Sequence, residues 1–139
     1  MSFREKSAWV MGLVMVVTGL FYLNVAIGTS GGMGRIVPPL TVFVPYVGLV
    51  VIASIVAQTT MAVLSPREAN APADERERLV LDRAGNWSGS VLGIGAVTSV
   101  LHFLYHGDAS LLFHMVMGSL ILSQVAEYTL QIALLRRGI

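Results

Sequence analysis

The chain has 139 residues, of which 55% are hydrophobic and 12% are charged, and its formal net charge is +1. This balance is far from that of a soluble domain and indicates a protein that lies in a lipid bilayer. The small net charge argues against the concentrated basic surface with which proteins bind nucleic acid. The absence of cysteine excludes disulfides, thiolate metal sites and cysteine nucleophiles.

Four stretches with few or no charges are long enough to cross a bilayer, which takes about 20 residues. They cover residues 8–27, 39–64, 87–105 and 109–135, with a long loop at 65–86. We therefore predict an all-α fold, in which residues 1–139 form a single membrane domain built as a four-transmembrane-helix bundle. This length leaves no room for a separate soluble catalytic domain.

The basic residues set the expected orientation. Eight of the nine lie before the first stretch, in the 65–86 loop or after the fourth stretch, and only Arg35 lies elsewhere. Four crossings place these three regions on one side, which the positive-inside rule identifies as the cytoplasm. We expect a multi-pass membrane protein with cytoplasmic N- and C-termini.

The 65–86 loop contains a dense run of charges: Asp74, Glu75, Arg76, Glu77 and Arg78. Pro66 and Pro72 disfavour helix before this run, whereas Asp74 is a suitable helix cap. A helix that restarts there has acidic residues first, and it pairs Asp74 with Arg78 at four-residue spacing. This pattern is typical of a solvated helix start, and it also suits a surface over residues 74–83 that docks a cytoplasmic protein.

Two segments of the chain are distinctive: Phe-Arg-Glu-Lys-Ser-Ala-Trp at residues 3–9 and Ser-Pro-Arg-Glu-Ala-Asn-Ala-Pro-Ala-Asp-Glu-Arg-Glu-Arg at residues 65–78. With these segments the chain resembles small bacterial four-helix membrane proteins of unknown function. The likeness extends over essentially the whole chain and is most specific around residues 74–76. It implies the same four-helix architecture and a location in the bacterial inner membrane, and it implies no activity, substrate or cofactor.

The third stretch has two faces of small or polar residues when it is wound at about 100° per residue. One carries Gly85, Gly89, Gly93 and Ala96, and the other carries Ser88, Gly95, Ser99, His102 and His106. Small residues admit a close neighbouring helix, so we expect this span at the centre of the bundle. The glycine face predicts an intramolecular contact, and a homodimer or another membrane subunit is the alternative.

Glu127 is the only acidic residue well within a hydrophobic stretch, and a carboxyl that faced lipid would be costly. Gln124 and Gln131 lie near it on the same span, and Gln58 on the second span is the partner expected at the same depth. A structural interpretation is a buried, hydrogen-bonded glutamate that fixes helix register. The functional alternative is a proton-coupled small-solute carrier, because desolvation raises a carboxyl pKa and favours proton exchange.

The histidines are candidate metal ligands. His102 and His106 are four residues apart on one helix, and His114 or Asp108 could complete a tetrahedral zinc or copper site. The alternative places these histidines at the membrane interface or in hydrogen bonds with neighbouring helices.

The sequence contains no hydrolase, phosphate-loop or metalloprotease motif, so we predict that the protein is not an enzyme and has no cofactor. Three functions remain. The leading one is a structural or regulatory interaction protein that docks partners through residues 74–83. The others are a carrier that uses Glu127 and a metal-binding membrane protein that uses His102 and His106.

Overall fold

A computed structural model describes residues 3–30, 38 and 40–137 of the chain. The described residues form five helices, which are α1 (Phe3–Ser30), α2 (Leu40–Leu64), α3 (Pro66–Ala69), α4 (Glu75–His106) and α5 (Ala109–Arg137). No strand occurs in these ranges, so the all-α prediction is confirmed. Every helix except α3 is long and apolar enough to cross a membrane. The predicted connection around Arg35 lies outside the described residues.

Local capping sets the bounds of α4 and α5. The Asp74 side chain accepts a hydrogen bond from the Glu75 backbone N–H at 2.8 Å, which starts α4 at the expected place. Gly107 ends α4 at a φ of 69°, a left-handed conformation that favours glycine. Asp108 then accepts hydrogen bonds from the backbone N–H groups of Ser110 and Leu111 at 2.9 and 3.0 Å. After its cap at Asp74, the charged segment, which is defined here as residues 74–83, therefore forms one continuous helix with the third span.

Helix α3 corrects one detail of the predicted loop. We expected Pro66 to resist helix formation, but it begins the single turn of α3. Proline is well tolerated at the first helical position, because its missing N–H would have no partner there. The segment between α2 and α4 is therefore shorter and more ordered than a loop over 65–86.

The four long helices form an open layer in the order α2, α1, α5, α4. Helix α1 packs extensively against α2 and α5, and α4 packs extensively against α5. Helix α2 also reaches α5 through the rings of Phe43 and Phe113, whose centroids are 5.4 Å apart. The prediction that the third span lies at the centre is wrong: α4 is an edge helix, and α1 and α5 are the central ones.

The core of the layer lies where α1, α2 and α5 meet. Its buried residues are Tyr22, Ala26 and Tyr46, and the Tyr22 and Tyr46 rings lie 5.5 Å apart. Glycines let the central helices approach closely. A Cβ atom added to Gly12 would lie 3.3 Å from the Tyr128 Cβ, and one added to Gly19 would lie 2.8 Å from Ile121. Helices α1 and α5 thus depend on these two glycines for their separation.

Ion pairs collect at the end of the layer that carries the start of α1 and the end of α5, called here the terminal end. They join Arg4 to Glu77 (3.7 Å), Lys6 to Glu68 (3.6 Å) and Arg136 to Glu5 (3.0 Å). The Arg136 guanidinium also lies 5.3 Å from the centre of the Trp9 ring. The start of α1 is therefore tied to α3, α4 and α5. The opposite end, which contains Gly107, is called the turn end.

Candidate functional site

Glu127 lies half-buried between α4 and α5, and both of its carboxyl oxygens accept hydrogen bonds. Ser88 Oγ lies 3.1 Å from Glu127 Oε2, and Gln131 Nε2 donates to Oε1 at 3.2 Å. Gln131 is one of the predicted neighbours and is one helical turn away on α5. Ser88 belongs to α4, so the carboxyl links the two helices. Hydrogen bonds between membrane helices contribute about 0.6 kcal/mol on average.

The other glutamines predicted for this site lie elsewhere. Gln58 is exposed on α2 and makes no hydrogen bond with the described residues. Gln124 lines a cavity of about 230 Å³ between α1, α2 and α5, and Glu127 is not among the lining residues. The residue of another helix that forms a hydrogen bond with Glu127 is therefore Ser88, and not Gln58 as expected.

A signal for Ser88 was present in the sequence. Ser88 lies 19 residues before Gly107 and Glu127 lies 20 residues after it, so a tight hairpin at Gly107 places both at the same depth. We expected Gln58 because of its depth on α2, but α1 lies between α2 and α5, the helix that carries Glu127, in the layer. Of the sequence features, only the nearly equal distance of Ser88 and Glu127 from Gly107 favours Ser88 over Gln58 as the partner of Glu127.

Near the turn end, Tyr22 and His114 form a buried polar pair. The Tyr22 hydroxyl lies 2.8 Å from His114 Nδ1, and the exposed fractions of the two residues are 4% and 8%. The sequence analysis missed this pair, because 92 residues separate its members. It joins the two central helices, α1 and α5, beside the ring of Tyr46.

The four predicted metal ligands are not brought together. His102 and His106 stack with ring centroids 4.2 Å apart on α4. His114 bonds to Tyr22 instead, and Asp108 caps α5. Among the described residues, no group of three or more histidine, aspartate or glutamate side chains is placed to hold an ion. The geometry therefore gives the metal-binding function no support.

The charged segment divides into two sets of side chains. Three of them are engaged within the chain: Asp74 caps α4, Glu77 pairs with Arg4, and Arg76 Nη2 donates to the Leu135 carbonyl at 3.1 Å. Between Asp74 and Arg78, the contact present is the backbone hydrogen bond of the helix, at 2.9 Å, rather than the expected side-chain pair.

The remaining charges form a row on the outer side of α4. This charged row consists of Glu75, Arg78 and Asp82, which are all exposed and make no ion pair with other described residues. Their spacing of three and four residues places them on one face of the helix. Together with Arg83, which is also exposed, these members of the segment are available to a partner without breaking a contact with other described residues.

The glycine face of α4, formed by Gly85, Gly89 and Gly93, continues the direction of the charged row. A Cβ atom added to any of these glycines would meet nothing within 4 Å. At Gly95, on the other face, an added Cβ atom would overlap the Ser119 side chain of α5. The expected intramolecular contact of the glycine face is therefore wrong, because α5 packs on the face that carries Ser88, Gly95 and Ser99.

Comparison of the chain with protein families, with curated proteins and with solved structures gives no match. The resemblance to small bacterial four-helix proteins stays a prediction. The function has to be inferred from the residues of this chain.

Proposed function

We propose that this is a multi-pass membrane protein of the bacterial inner membrane with a structural or regulatory role, and that it docks another protein along α4. Both termini and the charged segment face the cytoplasm in this proposal, in agreement with the distribution of basic residues. Trp9 and Trp87 support it, because both lie towards the terminal end, where their rings suit a membrane interface. We propose no enzymatic activity and no cofactor.

One observation carries the proposal: α4 is an edge helix, and no other described residue covers its outer face from Glu75 to Gly93. Glycines at four-residue spacing let a second helix approach closely, and such faces are typical of helix contacts within membranes. The charged row extends the same face beyond the membrane. A single partner helix can therefore contact both parts.

The partner we infer is a membrane protein that packs a helix against the glycine face and places complementary charges beside the charged row. The row reads acidic, basic, acidic, so a partner needs a basic, acidic, basic order opposite it. A second copy of this chain is the alternative, because Arg78 of one copy can lie between Glu75 and Asp82 of the other. A purely cytoplasmic partner would contact the row alone.

The absence of cysteine makes cross-linking a clean test. We expect Gly93→Cys to be cross-linked to the partner helix in membranes. Ile94→Cys lies at the same depth but is turned by about 100° around α4, so it should not be cross-linked. Arg78→Glu should abolish the Gly93 adduct, and Arg67→Glu, which makes the same charge change on α3, should leave it. An adduct of twice the chain mass identifies a homodimer. Equal adducts at both cysteines, or equal losses with both arginine variants, would contradict the proposal.

The carrier alternative has a separate test. Both oxygens of Glu127 are engaged with α4 and α5, which supports a role in fixing helix register. We therefore expect Glu127→Gln to leave proton and solute fluxes in proteoliposomes unchanged, and to leave the Gly93 adduct in place. A flux that is present in the native chain and absent from the variant would establish the carrier instead.

A further inference from the structure

A second feature of the terminal end lies beside the charged row on α4 and shares Glu75 with it. A cavity of about 320 Å³ opens there between α4 and the end of α5. It is lined by Glu75, Arg76, Leu79, Val80, Arg83 and Leu134. Two arginines thus line the cavity together with three aliphatic residues, which is a combination suited to an amphipathic anion.

The two arginines differ in what else they contact. Arg76 Nη2 donates to the Leu135 carbonyl, and this contact holds the side chain over the end of α5 while other guanidinium N–H groups remain. Arg83 is exposed and makes no hydrogen bond or ion pair with the described residues. The cavity therefore contains one anchored guanidinium and one that is available to a ligand.

The positions along α4 match the polar boundary of a membrane. Trp87 is 63% exposed, and it marks the level at which an amphipathic ring meets the interface. Arg83 lies one turn further out, about 6 Å along the helix axis, and Arg76 lies about 10 Å beyond Arg83. Leu79, between them, is 59% exposed. This order places positive charge at headgroup level, with apolar surface beside it.

The acidic member of the lining does not cancel this charge. Glu75 is eight residues before Arg83, so it lies about 12 Å further from the membrane along the axis. The cavity is thus cationic at its inner end and acidic only at its outer rim. A phosphate that enters from the membrane side meets Arg83 before it reaches the level of Glu75, which lies beside Arg76.

We infer that this cavity binds the phosphate headgroup of an anionic phospholipid between Arg76 and Arg83, with its glycerol region beside the aliphatic lining and its acyl chains continuing past Arg83 towards the membrane. Basic pockets between membrane helices on the cytoplasmic side commonly bind anionic lipid headgroups. The inference rests on the orientation proposed above and is independent of any protein partner. Its occupant is a lipid of the surrounding leaflet rather than free phosphate, because half of the lining is aliphatic.

The test uses the purified full-length chain in detergent, where lipid binding does not depend on a partner. Native mass spectrometry compares the binding of phosphatidylglycerol with that of phosphatidylcholine of the same acyl chains. We expect the native chain to prefer the anionic lipid, and Arg83→Gln to reduce that preference roughly fivefold, since each arginine near an anionic surface is worth about this factor. The double variant Arg76→Gln/Arg83→Gln should lose it.

The matched control removes the same charge elsewhere. Arg67→Gln/Arg78→Gln has the same net charge as the double variant, and it should retain the preference. The single Arg83→Gln variant keeps the test decisive if loss of the Arg76 contact with Leu135 impairs folding. Millimolar inorganic phosphate should not displace the lipid. Equal loss in the control pair, no preference in the native chain, or displacement by phosphate would each overturn the inference.

Discussion

The closest approach between α4 and α5 should be intolerant of a single methyl group. Gly95 packs against Ser119, and a Cβ atom added at Gly95 would lie 2.6 Å from the Ser119 Cβ and overlap the Ser119 hydroxyl. The hydroxyl is held by a 2.7 Å hydrogen bond to the Met115 carbonyl. Gly95→Ala therefore requires the two helices to separate or Ser119 to give up this bond.

The magnitude follows from a comparison with a glycine that has open space. Overpacking a tight contact costs about 1–3 kcal/mol, whereas alanine favours a helix over glycine by about 1 kcal/mol. Gly93→Ala gains the helix propensity of alanine without the cost of overpacking, because its Cβ atom would meet nothing within 4 Å. We expect Gly95→Ala to be less stable than Gly93→Ala by about 1–3 kcal/mol, since the propensity term cancels in the difference.

Unfolding by increasing fractions of sodium dodecyl sulfate in mixed micelles, followed by tryptophan fluorescence, measures this difference. A compensating variant adds a second check. In a Ser119→Gly background the nearest remaining atom to the new methyl group would be the Ser119 Cα position at 3.5 Å, which is an ordinary contact. Gly95→Ala should then carry no penalty. Equal stability of the two alanine variants would refute this account of the α4–α5 contact.

Two further predictions concern the turn end and use the same titration. Tyr22→Phe removes the hydroxyl bonded to His114 and should lower stability by about 0.5–1.5 kcal/mol, while Tyr46→Phe, whose hydroxyl makes no hydrogen bond with described residues, should change it less. Asp108→Ala removes the cap of α5 and should cost about 0.5–2 kcal/mol, most of which Asp108→Asn restores. Unchanged stability in Tyr22→Phe or Asp108→Ala would contradict the assigned contact.

The helices themselves were predictable because their signals are local. Long apolar stretches indicate spans, and Asp74, Gly107 and Asp108 act on residues within one turn of themselves. The Glu127–Gln131 contact is also local, because residues four apart share a helix face. Predictions of this kind need no knowledge of which helices are neighbours.

The order of the helices was not predictable in the same way. Helix α4 has two faces of small residues, and composition does not say which one meets α5. The serine-containing face does, since Gly95 fits Ser119 and Ser88 reaches Glu127. The Tyr22–His114 contact depends on α1 and α5 being adjacent, which no spacing within either helix encodes. The two wrong predictions, that the third span is central and that Gln58 is the partner of Glu127, have the same cause: the sequence does not show which helices are neighbours.

The position of α5 in the layer has a consequence for biosynthesis. Helix α1 packs on α5, although α2 and α4 lie between them in the chain and are synthesised before α5. The face of α1 that contains Gly12 and Gly19 therefore stays uncovered by α5 until α5 has been synthesised. Two hairpins, α1 with α2 and α4 with α5, then join through their inner helices. A nascent chain interrupted before Ala109 retains the first hairpin and has no helix to cover it.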